Sequence, residues 1–208
     1  RLVSSNVGSM GGIMALRRRE THFAGIHLLD AENGEYNRSY LEKYLPRDNW
    51  ILLNLVKRQQ GLIIKKDNPL QILGLQDLLR SDVRYINRQK GAGTRILFDY
   101  LLAREGIDNQ AINGYNREEY THLAVAAAVE NEACDTGMGI YASARALDLD
   151  FIPLSEERYD LCILPNLMGE RELDLLLDTI KSPEFLQQVN DFGGYNLEDS
   201  GQIIHYNK

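Results

Sequence analysis

The run Asn87-Arg88-Gln89-Lys90-Gly91-Ala92-Gly93-Thr94-Arg95 packs cations, glycines and a hydroxyl into one short loop. A short apolar run over residues 83–86 precedes it, and an amphipathic helical pattern over residues 96–104 follows. A strand, a glycine loop and a helix start together leave backbone N–H groups free, and the helix dipole there favours negative charge. Gly91 and Gly93 let a ligand approach the backbone closely. Thr94 either caps the helix or turns its hydroxyl outward. Arg88, Lys90 and Arg95 add fixed positive charge. These residues fit a local anion site; the same pattern also serves as plain punctuation between two elements. The loop is not a phosphate-binding P-loop, since no Gly-Lys-Ser/Thr follows. Ile96 stands where a Gly-x-Gly-x-x-Gly fingerprint needs its third glycine.

Ser9 lies in a comparable turn, Gly8-Ser9-Met10-Gly11-Gly12, ahead of a helical pattern over residues 13–19. Its hydroxyl either sits beside free N–H groups or caps the helix. Tyr120-Thr121-His122 is a polar cluster in the first turn of a helix expected over residues 118–129, open to a ligand or explained by helix-start chemistry alone. His27 ends an expected strand over residues 23–29 and reads as a structural histidine. The four histidines have no metal spacing, no Gly-x-Ser-x-Gly elbow occurs, and no carboxylate pair stands out. The residues therefore assign no catalytic group, no metal and no cofactor.

The elements that must position these groups alternate between strand and helix. Strands are expected over residues 1–5, 23–29, 50–56, 61–64, 83–86, 135–140, 151–154 and 159–164. Helices are expected between most of them, then over residues 170–181 and 183–190, with residues 193–208 unassigned. This alternation indicates an α/β fold with largely parallel sheets, in which ligands sit beyond the carboxyl ends of strands. A chain of 208 residues suits one two-lobed unit or two small domains. Its net charge of −7 argues against a broad nucleic-acid surface, so any anion site is local. No apolar run reaches transmembrane length. Cys134 and Cys162 read as buried free thiols of a reducing compartment, which points to the cytoplasm; a removed secretion signal would point to the periplasm.

Several segments together resemble one known domain. They are Gly8-Ser9-x-x-Gly12, Ala24-Gly25-Ile26-His27-Leu28-Leu29-Asp30, Gln60-Gly61-Leu62-Ile63-Ile64 with Asn68-Pro69, and the loop over residues 87–95. Thr121-His122-x-Ala124-Val125-Ala126 and Asp150-Phe151-Ile152-Pro153-Leu154 with Glu157-Arg158-Tyr159-Asp160-Leu161 complete the set. The chain resembles the periplasmic-binding-protein-like (type 2, LysR-substrate-domain-like) domain found with molybdopterin-biosynthesis proteins and helix-turn-helix regulators, related to tungstate- and molybdate-binding proteins. The resemblance implies two lobes, residues 1–66 with 158–208 and residues 67–157, around a ligand cleft. It implies ligand-binding roles for Ser9, Arg88 and Thr94, with backbone N–H groups from Gly91, Ala92, Gly93 and Thr94; Arg95, Tyr120 and His122 are the further candidates. Family members open with an additional strand and helix, which this chain is expected to lack. One edge of the cleft would then be open to homodimer formation.

The expected function is a non-enzymatic receptor for a small oxyanion such as molybdate or tungstate, or for a molybdenum-cofactor-related ligand, attached to an N-terminal domain. The alternatives are an enzyme domain of molybdopterin biosynthesis and a degenerate binding fold used for dimerisation.

Overall fold

Two long strands run through the whole molecule. β2 (Trp50–Ile64) and β6 (Asp150–Ile163) are antiparallel neighbours along nearly their full lengths. Each was expected as two shorter strands, because Lys57-Arg58-Gln59-Gln60 and Ser155-Glu156-Glu157-Arg158 interrupt the apolar pattern. The chain continues straight through both polar stretches. Period-two alternation explains how: Arg58 and Gln60 are buried while Gln59 faces outward. In the paired register Arg58 lies opposite Glu157, and Val56 opposite Tyr159.

The computed structural model describes residues 3–5 and 7–207. The strand expected over residues 1–5 rests on Arg1 and Leu2, which lie outside the described residues; residues 3–5 join no strand. The remaining strands are β1 (Phe23–Ile26), β3 (Tyr85–Arg88), β4 (Glu118–Glu119), β5 (Thr136–Ile140), β7 (Tyr195–Asn196) and β8 (Ile203–Asn207). They form one mixed sheet in the order β1-β6-β2-β5-β3-β4, with β7 and β8 also paired to β2. The expectation of mostly parallel sheets is corrected here, and one sheet spans both of the expected lobes. Among the described strands only the β3–β4 and β3–β5 ladders are parallel. The long β2 and β6 strands bring antiparallel pairing to the centre, a result that strand–helix alternation does not encode.

The helices are α1 (Gly8–Arg17), α2 (Arg38–Tyr44), α3 (Gly93–Arg104), α4 (His122–Glu130), α5 (Tyr141–Ala146), α6 (Glu170–Lys181) and α7 (Pro183–Phe192). Near one end of the β2–β6 ladder, Trp50 and Leu52 pack with Ile13, Leu16 and Leu41 from α1 and α2. Their alternate neighbours Ile51 and Leu53 pack with Leu161, Ile163 and Ile180. Near the other end, Leu62 joins Tyr85, Phe98 and Leu101, while Ile63 joins Val125, Ala126 and Ala144. Apolar cores thus flank both ends of the ladder, and the polar stretch lies between them. The helix expected from residue 118 begins at His122, because the Thr121 Oγ1 accepts from Ala124 N at 3.0 Å and caps it. Among the described residues no helix is long and apolar enough to cross a membrane.

Asn37 ties the edge of the sheet to its centre. It is fully buried at φ 72°, and the Arg38 N–H reaches back to the Tyr36 carbonyl at 2.8 Å, so the chain makes a tight three-residue turn here. The Asn37 Oδ1 accepts from Leu28 N at 2.7 Å, and its Nδ2 donates to Ile26 O at 3.3 Å and to Asp160 Oδ2 at 2.8 Å. These bonds hold the backbone on both sides of His27. Replacing Asn37 with Ala should destabilise the protein by about 2–3 kcal/mol, because a buried N–H and a carboxylate oxygen lose a partner. Urea denaturation measures this, and a loss below about 0.5 kcal/mol would show that Asn37 does not fix this junction.

Candidate ligand-binding site

The polar stretches of β2 and β6 build a buried charged cluster. The Arg58 Nε donates to Glu157 Oε1, and the guanidinium lies over the Tyr159 ring at 4.5 Å. The other Glu157 oxygen lies 3.1 Å from His27 Nδ1, and the His27 ring stacks on Tyr159 at 5.3 Å. Burial is the largest influence on Glu157 and opposes its ionisation. Arg58, His27 and a bond from Gln60 together outweigh it and hold the carboxyl well below the usual range. An ionised Glu157 places the His27 proton on Nδ1 and leaves Nε2 as an acceptor. Burial keeps the His27 pKa below its ordinary value, against the pull of Glu157.

The loop of residues 87–95 meets this cluster directly. α3 begins at Gly93, and a Cβ there would fall 2.3 Å from both His27 Nδ1 and the His27 carbonyl oxygen. Only glycine permits that approach. Thr94 does not cap α3; its Oγ1 accepts from Gln60 Nε2 at 3.1 Å. Ser9 does not cap α1 either. It is buried inside the first turn and its Oγ accepts from His27 N at 3.2 Å. The loops expected to hold the ligand therefore converge on His27.

Arg88 is the most informative residue of this group. It is buried, with 8% of its surface exposed. Its Nη2 donates to Tyr120 O at 2.9 Å, and its Nε lies 3.3 Å from both Glu119 O and Gln89 Oε1. All of these acceptors are uncharged, and no ion pair to Arg88 occurs among the described residues. Its Nη1 is buried without a partner, as are Arg58 Nη2, Gln60 Oε1 and His122 Nδ1. Burial, then repulsion from Arg58, pulls the Arg88 pKa down to about 10, so it stays charged at neutral pH. Burial, reinforced by Arg58 and Arg88, holds His122 neutral. Two guanidinium groups against one carboxylate leave a surplus of positive charge in a poorly solvated region.

Other candidates sit apart from this centre. Arg95 lies over Tyr115 at 4.1 Å and donates to Arg88 O at 3.2 Å, so it braces the loop from behind. The Ala92 N–H is taken by the Gln89 carbonyl at 3.1 Å, and Gly91 is exposed at φ 85°. Tyr120 contributes its carbonyl to Arg88 while 73% of the residue is exposed. Arg58, Gln60 and Glu157 are not among the site residues expected from the sequence, although Gln60 and Glu157 lie in segments that carry the family resemblance. Each lies in a run of four consecutive polar residues, so no sequence pattern marks its burial; the register of β2 against β6 does. His27 was read as structural, and its pairing with Glu157 was not foreseen.

The model of the PBP superfamily domain matches residues 1–181. The chain belongs to that family. It is 33% identical over 197 residues to the uncharacterized protein YvgK of Bacillus subtilis (strain 168), covering 95% of this chain and 63% of that protein. The chain thus spans less than two thirds of that relative. Among solved structures, it is similar to the tungstate ABC transporter from Geobacter sulfurreducens, with a TM-score of 0.65, 14% identity and coverage of 89% of this chain and 83% of that one. It is also similar to a phosphate ABC transporter substrate-binding protein with bound phosphate from Clostridium perfringens, with a TM-score of 0.63, 12% identity and the same coverage, 89% and 83%. At these identities the likeness is one of fold.

The buried imidazoles give the site a pH signature. Both folded histidine pKa values lie below the unfolded one, so as pH falls the unfolded chain binds protons first. The stability they contribute is complete above about pH 6.5 and is lost as pH falls towards the folded values. Glu157 adds a second loss that begins near about pH 4.3. The urea midpoint should therefore fall between pH 7 and pH 5, and His122→Asn should fall less. Equal midpoints at the two pH values would mean that the imidazoles are not held neutral.

Proposed function

We propose that this PBP superfamily domain is a non-enzymatic receptor for a small oxyanion such as molybdate or tungstate, or for a molybdenum-cofactor-related anion. The observation that carries the reading is Arg88: a buried guanidinium with no counter-ion among the described residues and an unpartnered Nη1. A buried charge without a partner is costly, and a bound anion removes that cost. Arg58 Nη2 offers a second charged donor. N–H groups in the first turn of α3, at Gly93 and Thr94, lack intrahelical acceptors and add the dipole of a helix start. The fold shared with tungstate and phosphate transport proteins supports the same class of ligand.

In this reading the chain works as two lobes, residues 1–66 with 158–208 and residues 67–157, and β2 and β6 cross between them. Ser9 and His27 belong to the first, Arg88, Gly93, Thr94 and His122 to the second. A ligand bridging them favours the closed arrangement, and an attached module reads out that bias. A cytoplasmic location accords with two buried, unpaired cysteines.

Calorimetry with molybdate, tungstate, phosphate and sulfate tests the proposal. At least one should bind, and Arg88→Ala should lose about 1.5–3 kcal/mol of affinity, the scale of a hydrogen bond to a charged group. A folded protein that gives no heat with any of the four anions would sink the oxyanion reading.

A further inference from the structure

An open pocket of about 250 Å³ adjoins the charged cluster on the side of α7 and β7. Phe185, Val189 and Phe192 of α7, Tyr195 of β7, and Arg58 and Tyr159 line it. The three α7 residues are spaced four and three apart, so they share one helix face. Among the described residues that line it, Arg58 is the only charged one. The same guanidinium carries the buried, unpartnered Nη2, and its stacking over Tyr159 fixes its position. An apolar chamber therefore shares a wall with a desolvated cation.

A bare tetrahedral oxyanion uses the cation and leaves this chamber unfilled. The chamber is large enough for more: an apolar cavity of roughly 150 Å³ already holds a benzene ring. Its aromatic lining suits a flat apolar body. Phe192, 61% exposed, stands at its edge as a large apolar surface without cover. Apolar pockets with few convergent polar groups are the usual form of an organic ligand site.

We infer that the ligand is an organic anion, with an oxyanion head at Arg58 and Arg88 and a single-ring or similarly compact apolar body in the chamber beneath α7. This rests on the oxyanion reading above and narrows it to a substituted anion. Arg58 joins the two halves of the site: its Nε is committed to Glu157, its Nη2 is buried without a partner, and its side chain also lines the chamber.

Phenyl phosphate and inorganic phosphate are the probes, titrated into the protein by calorimetry. Phenyl phosphate should bind about ten-fold tighter, the scale expected when a ring is partly buried. Phe192→Ala and Tyr195→Ala should each reduce that preference towards unity while leaving the affinity for inorganic phosphate unchanged. Arg88→Ala should weaken both probes together. Equal affinities in the wild-type protein would overturn the inference and leave the oxyanion reading standing. A preference that survives both cavity substitutions also overturns it, since the ring would then lie elsewhere. Silence towards both probes from a folded protein would overturn the organic-anion inference together with phosphate binding itself.

Discussion

The pairing of Arg58 with Glu157 is the constraint on which the centre of this molecule depends. It joins β2 to β6 across the ladder, where a buried charge on either strand alone would be untenable. The same carboxylate receives His27 from the chain following β1, and Tyr159 stacks on both His27 and Arg58. One ion pair thus fixes the side chains of three strand regions in a common geometry. Asn37 and Asp160 supply the matching constraint on the other side of His27, by holding the backbone of Ile26 and Leu28.

A buried ion pair is a poor way to stabilise a protein, because desolvation consumes most of the attraction. Its value here is positional. Well-packed apolar residues at 58 and 157 would continue the cores found near both ends of the ladder. They would also remove oriented donors that meet in a poorly solvated setting. The polar stretch interrupts the apolar core at the point where the starts of α1 and α3 approach His27. Conflict between local pattern and global core is expected at functional sites.

How much could be read from the sequence followed the range of each signal. The loop of residues 87–95 was legible because its chemistry is local: glycines, a hydroxyl and cations before a helical pattern. Ser9 stands out for the same reason; of the two roles expected for its hydroxyl, cap and ligand contact, the structure excludes the cap and gives the hydroxyl to His27 N. Arg58 and Glu157 were not legible. Each looks like a break in an apolar run, and only the register between β2 and β6 makes them partners. Strand direction was hidden likewise, since alternation of strands with helices cannot distinguish a parallel crossover from two long antiparallel strands. The tail escaped because β7 and β8 depend on pairing with β2 rather than on their own short patterns.

The charge count also constrains how a ligand is held. Arg58 and Arg88 exceed Glu157 by one positive charge while His27 and His122 are neutral. A monoanion balances that surplus. A dianion exceeds it, and the excess negative charge raises the proton affinity of both imidazoles. Binding of a dianion is then linked more strongly to proton uptake than binding of a monoanion. The His27 Nε2 is an acceptor as long as Glu157 holds the other ring proton. A protonated ligand oxygen can donate to it, whereas a fully ionised one can only accept, and only from an imidazole that has taken up a proton. The Glu157–His27 pair therefore makes the site sensitive to where the ligand carries its protons, as well as to its charge.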